Sequence, residues 1–249
     1  MVAGFASGPK RDPLPPVELI PAMRSRGAYT ADRAAALSGV PLSTVRWWAR
    51  HEILVPSISQ TRTALWSYGD LMGLRVIHWL RHPKLDDDAR EIPASTMRLV
   101  RLALADLAEL DMALWTEDSG PAVRVDRTGH VFLATEPSLE RVGDHQRALG
   151  EDADSSLNVL APFATHSAKG PDLVRPRPHL RIVPGKLGGS PHIENTRLES
   201  QAVGALATSG LPMAKIYRLY PEVEQPAIND ALALERQLAG NLGRELRAA

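Results

Sequence analysis

Arg46 and Arg50 stand four residues apart in "STVRWWAR" (43–50). On a helix that spacing puts both guanidiniums on one face. A planar guanidinium forks onto a phosphate or onto the edge of a guanine in the major groove. Presenting that face needs a second helix behind it, and Ala35, Gly39 and Val45 have the residue types for such a pair. The small residue lets the helices approach, the glycine takes the turn, and the β-branched residue plugs the wedge between them. The same spacing returns at Leu206, Gly210 and Ile216. Trp47 and Trp48 point about 100° apart on a helix. One is expected to seal a core and the other to pack on the following segment, so the pair is read as structural.

Other chemistries find no support. Asp86, Asp87 and Asp88 are consecutive acids that point in different directions, which fits a solvated turn better than a Mg²⁺ site. The eight histidines form no HExxH motif. Gly185-Lys186-Leu187-Gly188-Gly189 lacks the spacing of a phosphate-binding loop, and Ser190 is in no nucleophile-elbow context. No catalytic constellation, metal or cofactor is expected. The absence of cysteine excludes disulfides and thiolate sites and fits a reducing cytoplasm.

The elements follow from local signals. Residues 1–28 are Pro-rich and read as a disordered tail. Thr30 caps a helix through "ADRAAALS" that stops at Gly39. Ser43 or Thr44 opens the next helix. Residues 53–66 read as two short strands around a polar turn. Ser67 and Asp70 form a capping box before Leu71, Leu74, Ile77 and Leu80 at helical spacing. A longer helix from about Ser95 to Trp115 carries a seam at Met97, Val100, Leu104, Leu107 and Leu114. That seam serves either its own domain or a dimer. Residues 122–134 make a hairpin around Asp126–Gly129, and 135–176 read as an acidic linker. Pro and Gly punctuate 177–197, and three helices follow: 198–209, one from Pro212 that ends before Pro221, and one from Pro226 to about Leu238. The zero net charge hides segregation: +6 over 1–84, −8 over 85–170 and +2 over 171–249. A basic head is the electrostatic footprint expected for nucleic acid.

The run Tyr29-Thr30, Ala34-Ala35, Ser38-Gly39-Val40, Thr44-Val45-Arg46-Trp47-Trp48, Ile53-Leu54-Val55-Pro56, Trp66-Ser67 and Asp70-Leu71 resembles the winged helix-turn-helix domain of MerR-type regulators. The resemblance implies that the helix at 43–51 enters the major groove. Ser43, Thr44, Arg46 and Arg50 would then face DNA, and Arg62 would belong to the wing. Glu52 stands where that family usually has Gly, and the family's metal-sensing cysteines are missing.

A second stretch, 181–238, resembles domains of unknown function found in VapB-type antitoxins. Its carriers are Arg181-Ile182, Gly188-Gly189-Ser190-Pro191-His192-Ile193, Thr196-Arg197-Leu198, Gly210-Leu211-Pro212, Ile216 and Leu219-Tyr220-Pro221. The segment 177–197 is expected to be an interaction arm, with Arg181, Gly188, Gly189, Pro191, Ile193, Thr196 and Arg197 as its contacts; it pairs with the same arm of a second copy, the favoured use, or closes on its own helices. In the three helices either 212–220 or the helix from Pro226 takes the recognition position, the latter favoured with Asn229, Arg236 and Gln237 on its surface, and a packing-only role stands beside DNA contact. The combined resemblance implies a cytoplasmic, homodimeric antitoxin that binds an operator in double-stranded DNA. It also implies a PIN-type ribonuclease toxin as partner. The alternative is a ligand-responsive MerR-type regulator, which should have an apolar pocket within 95–170. The expected fold is mainly helical with short β-hairpins: a winged helix-turn-helix at 29–84, a long helix and hairpin at 85–134, the linker, a C-terminal β-arm with three helices at 177–242, and a tail at 243–249.

Overall fold

The structure is a computed structural model and describes residues 25–244 except 87, 110–122, 127, 136–137, 144–146 and 149–154. It opens on β1 (Tyr29–Thr30), followed by α1 (Ala31–Ser38) and α2 (Leu42–Arg50). The Thr30 hydroxyl accepts from the Arg33 amide, and Gly39 ends α1 in the left-handed region at φ 75. A side chain there would be strained, so the glycine dictates the stop. Strand β2 (Leu65–Trp66) pairs antiparallel with β1. The two expected strands in 53–66 reduce to β2 and a single bridge between Ser59 and Leu65. The Asp70 carboxylate explains this. It accepts from Ser57 N–H, Ser57 Oγ and Ser67 N–H, so beyond the backbone bonds around the Ser59–Leu65 bridge the two sides meet through a side chain rather than through each other. Glu52, at the position expected to prefer Gly, has φ 52, a conformation that costs a non-Gly residue about 1–2 kcal/mol.

Helix α3 (Tyr68–Arg81) begins with the full Ser67–Asp70 capping box. Leu71, Leu74, Ile77 and Leu80 are buried, as their spacing requires. Two short strands, β3 (Lys84–Leu85) and β4 (Glu91–Ile92), pair around a turn closed by Asp86, which accepts from the amides of Asp88 and Arg90. Helix α4 (Met97–Glu109) follows. Its Val100 is buried within the chain's own core, and Met97 and Leu104 pack against that core, so this part of the seam serves its own fold. Leu114 and the end of the expected helix lie outside the described residues.

A five-stranded antiparallel sheet comes next, in the order β8 (Arg147–Ala148), β7 (Ser138–Arg141), β6 (Val131–Thr135), β5 (Val123–Val125), β9 (Ser155–Leu157). The expected hairpin is its β5–β6 pair. Residues 135–176 therefore hold strands where a linker was expected, including the hairpin β10 (Phe163–Ala164) and β11 (Lys169–Gly170). Their strands are only two to four residues long, too short for alternation to stand out in sequence. The fold is accordingly mixed α/β, with seven helices among the described residues.

The C-terminal part pairs β12 (Leu180–Arg181) with β13 (His192–Ile193) and ends in α5 (Ser200–Thr208), α6 (Met213–Leu219) and α7 (Gln225–Asn241). Helix α7 packs against both α5 and α1, which ties the two ends of the chain together. No described helix is long and apolar enough to cross a membrane.

Candidate nucleic-acid interface

The α1–α2 pair is held by its buried plug. Ala35 and Val45 are buried between the helices, and Val45 N–H donates to Pro41 C=O at 3.0 Å. Pro41 precedes the first helical residue, Leu42. Ser43 and Thr44 therefore fall in the first turn of α2, one residue deeper than expected. Arg46 and Arg50 are both exposed. Arg46 Nη2 donates to Asp32 Oδ1 at 3.0 Å, and the other Asp32 oxygen accepts from Arg244 at 2.5 Å. Arg50 Nε donates to the Arg46 carbonyl at 3.4 Å. Neither contact satisfies a whole guanidinium, so both retain donors for an external acceptor.

The two tryptophans divide as their geometry requires. Trp48 is 5% exposed and belongs to the core, whereas Trp47 is 46% exposed. Trp47 packs on no wing; it stacks on His51 with ring centroids 4.2 Å apart. Arg62 is exposed at the tip of the turn closed by the Ser59–Leu65 bridge, with φ 48. Ser43, Thr44, Arg46 and Arg50 thus share one helix, while Arg62 stands on a separate turn, and no contact joins it to them among the described residues.

The turn between α1 and α2 is clamped from behind. Arg75 on α3 is fully buried, and its guanidinium donates to the carbonyls of Leu37, Ser38, Val159, Ala161 and Pro171. Burial pushes its pKa down to about 10, which leaves it charged at neutral pH. Two of its acceptors end α1, where the helix dipole concentrates negative charge. Sequence reasoning missed this residue. The available signal was a lone cation inside the apolar run "LMGLRVIHWL".

A second clamp joins the chain ends. Arg33 on α1 makes a two-pronged pair with Glu235 on α7 at 2.7 and 2.8 Å, and Ser200 Oγ on α5 donates to the same carboxylate at 2.5 Å. Gly204 lies against Glu235, where a Cβ would sit 2.9 Å from its Cγ.

The arm 177–197 folds back on its own chain. Arg181 is buried and donates to Glu194 at 3.1 Å. Pro191 and Ile193 are buried, and Thr196 Oγ1 donates to Ile193 C=O. Gly189 is covered by Tyr29, whose hydroxyl donates to the Gly189 carbonyl at 2.7 Å. Gly188 and Arg197 alone of the seven expected contacts are exposed. The surface expected to pair with a second copy is therefore largely consumed by the arm's own fold, because its apolar residues find partners on α7 and β1.

The helix expected from Pro226 is α7. Helix α7 buries Ala227, Ile228, Ala231, Leu232, Leu234 and Leu238. Of its polar residues, Asp230 accepts from the His179 amide and Gln237 bonds Arg177 and Lys169, while Asn229, which accepts from Tyr217, and Arg236 are exposed, as expected.

Among the described residues no three His, Cys, Asp or Glu side chains converge as a metal would need. A cavity of about 880 Å³ opens between α1, α5 and α7, lined in part by Asp32, Ala36, Gly204, Thr208, Leu238 and Arg244.

Residues 181–234 match the model of a family described as a protein of unknown function (DUF433). That match runs from the end of β12 through β13, α5 and α6 into α7. No curated protein and no solved structure matches the chain.

Proposed function

We propose that this chain is a DNA-binding regulator in which α1 and α2 form a winged helix-turn-helix and α2 reads the major groove. The observation that carries this reading is the exposed pair Arg46 and Arg50 on a helix whose opposite face, at Val45 and Trp48, is buried. Arg62 on its turn extends the same chemistry to the wing. In this reading the protein is the antitoxin of a PIN-type ribonuclease toxin and represses the operon encoding both. The sequence resemblance of the 181–238 motif to antitoxin-associated domains supports that part. A site with two-fold symmetry requires two copies, since one small reader spans too few base pairs for specificity.

The test is a binding titration on the operator at several salt concentrations. Arg46→Ala should cost about 1–3 kcal/mol and relax preference at one base pair. Arg50→Ala should weaken all sequences alike and flatten the salt slope by about 1. Wild-type binding by both variants removes the reading. Co-purification with the product of the neighbouring reading frame tests the antitoxin part. Light scattering of the full chain tests the dimer.

The 880 Å³ cavity favours a second reading, a ligand-responsive regulator. It lies between α1, α5 and α7 rather than within 95–170. A smaller one of 310 Å³ is lined from 162 to 177 and by Gln237. Derepression by a small molecule in the absence of any toxin would select it.

A further inference from the structure

The turn at Gly39 has a counterpart at Gly210. Ser38-Gly39-Val40-Pro41 and Ser209-Gly210-Leu211-Pro212 align residue for residue, and Val45 aligns with Ile216. The backbones agree as well. Gly39 has φ 75 and Gly210 φ 81. Pro41 (φ −54, ψ 136) and Pro212 (φ −58, ψ 143) each precede the second helix. Val45 N–H donates to Pro41 C=O at 3.0 Å, and Ile216 N–H to Pro212 C=O at 3.2 Å. Val45 and Ile216 are both fully buried. The chain therefore contains two copies of one helix–turn–helix geometry, α1–α2 and α5–α6. Each has its own backing helix, α3 for the first and α7 for the second.

The outward face of α6 carries Lys215 and Arg218, both exposed. Neither makes a hydrogen bond or ion pair among the described residues. On α7, by contrast, Asn229, Asp230, Glu235, Gln237 and Asn241 are bonded within the chain, and Arg236 is the one exposed cation of that helix. At the position of Trp47 the second copy has Arg218. The acids Glu222 and Glu224 lie beyond Pro221 in the turn to α7 and leave α6 itself without a negative charge. Gly210 has no atom that would meet an added Cβ within 4 Å. The second turn is thus uncovered on the side where β11 covers the first.

We infer that α6 is a second DNA-contacting helix, so that one chain grips double-stranded DNA at two places, through α2 and through α6. Charge complementarity selects the phosphate backbone: two unpaired cations on an exposed helix face fit a polyanion. The two units do not swing independently. Their first helices, α1 and α5, both rest on α7, and Arg33 from one and Ser200 from the other bond the single carboxylate of Glu235. Two contacts held in one frame bind as one ligand with a high effective concentration. The inference rests on the reading of α2 as a DNA reader.

The experiment uses the full chain and a long operator duplex, with anisotropy titrations across salt concentrations and hydroxyl-radical footprinting. The variants are Lys215→Gln/Arg218→Gln and Arg46→Ala/Arg50→Ala. The first should melt like wild type, because both side chains are exposed and unpaired. It should flatten the salt slope by about 2 and shorten the protected region at one end while leaving the rest. The Arg46/Arg50 variant should lose the other part. If Lys215→Gln/Arg218→Gln keeps wild-type affinity, slope and footprint while the arginine variant is weakened, the second contact does not exist and the α2 reading stands. If only the α6 variant loses binding, the second contact stands and the α2 reading falls. Wild-type protein that binds no DNA overturns both. Loss of the neighbour-encoded toxin by the α6 variant, with DNA binding intact, makes α6 a protein-docking face and overturns the inference.

Discussion

Gly39 and Gly170 meet backbone to backbone: a Cβ on Gly39 would lie 2.4 Å from the Gly170 amide nitrogen, and one on Gly170 would lie 2.7 Å from the Ser38 carbonyl carbon. The turn between α1 and α2 is thereby locked to β11, and the Arg75 guanidinium bonds the carbonyls on both sides of the contact. Both glycines should be intolerant of alanine. Gly170→Ala should cost about 1–3 kcal/mol through overlap. Gly39→Ala should cost more, because φ 75 adds about 1–2 kcal/mol of backbone strain. Urea unfolding followed by circular dichroism gives both values. Equal stability for wild type and both variants would mean the contact is not made. Arg75→Met, which leaves five buried carbonyls without their donor, should be destabilised by at least about 3 kcal/mol.

The adjacent tryptophans should separate in the same assay. Trp48→Ala opens the core and should lose about 3–5 kcal/mol. Trp47→Ala removes only an exposed stack on His51 and should lose about 1 kcal/mol or less. A reversal of that order would contradict the burial of Trp48.

If α2 reads DNA as proposed, Asp32 competes with the phosphates or bases for Arg46. It bonds Arg46 and Arg244 together, and its charge lies beside the basic face. Asp32→Asn should tighten operator binding several-fold at low salt, with the gain shrinking as salt screens the charge. The cost to α1 should stay below about 1 kcal/mol, the value of an acid at a helix N-terminus. A variant that binds more weakly than wild type would show that Asp32 positions Arg46 rather than restraining it.

His78 gives the fold a dependence on acid. Its ring stacks on His82 at 3.9 Å and meets Phe163 edge-on at 5.7 Å. Burial, then repulsion from His82 and His166, lowers its pKa to about 4. The unfolded chain titrates near 6.5. Between pH 6.5 and 4 the unfolded state takes up a proton that the folded state refuses. This group's contribution to stability is therefore full above about pH 6.5 and falls as the pH drops through that window. Melting temperatures of wild type and His78→Gln, measured from pH 7 to pH 4, should converge toward the acid end. Parallel curves would exclude His78 as a source of the slope.

Sequence alone determined the elements whose signals are local. The Thr30 cap, the Gly39 stop, the Ser67–Asp70 box and the apolar stripe of α3 each depend on a few consecutive residues, and each appears where its residues place it. The pairing of Arg46 with Arg50 on one helical face is of the same kind.

Tertiary structure decided what depends on residues far apart in the chain. Arg75 looked like an interruption of an apolar stripe. It became a clasp only when carbonyls from 37–38, 159–161 and 171 converged on it. The stretch 135–176 read as linker because strands of two to four residues leave no periodicity, and their stability comes from partners across the sheet. The arm at 177–197 looked like a surface for another copy, since sequence cannot show that α7 and β1 of the same chain bury it. Which face of an amphipathic helix reaches solvent depends on how many neighbours it has. Helix α7 packs on α1 and α5 and on the strands β11, β12 and β13, and α1 lies almost the whole length of the chain away.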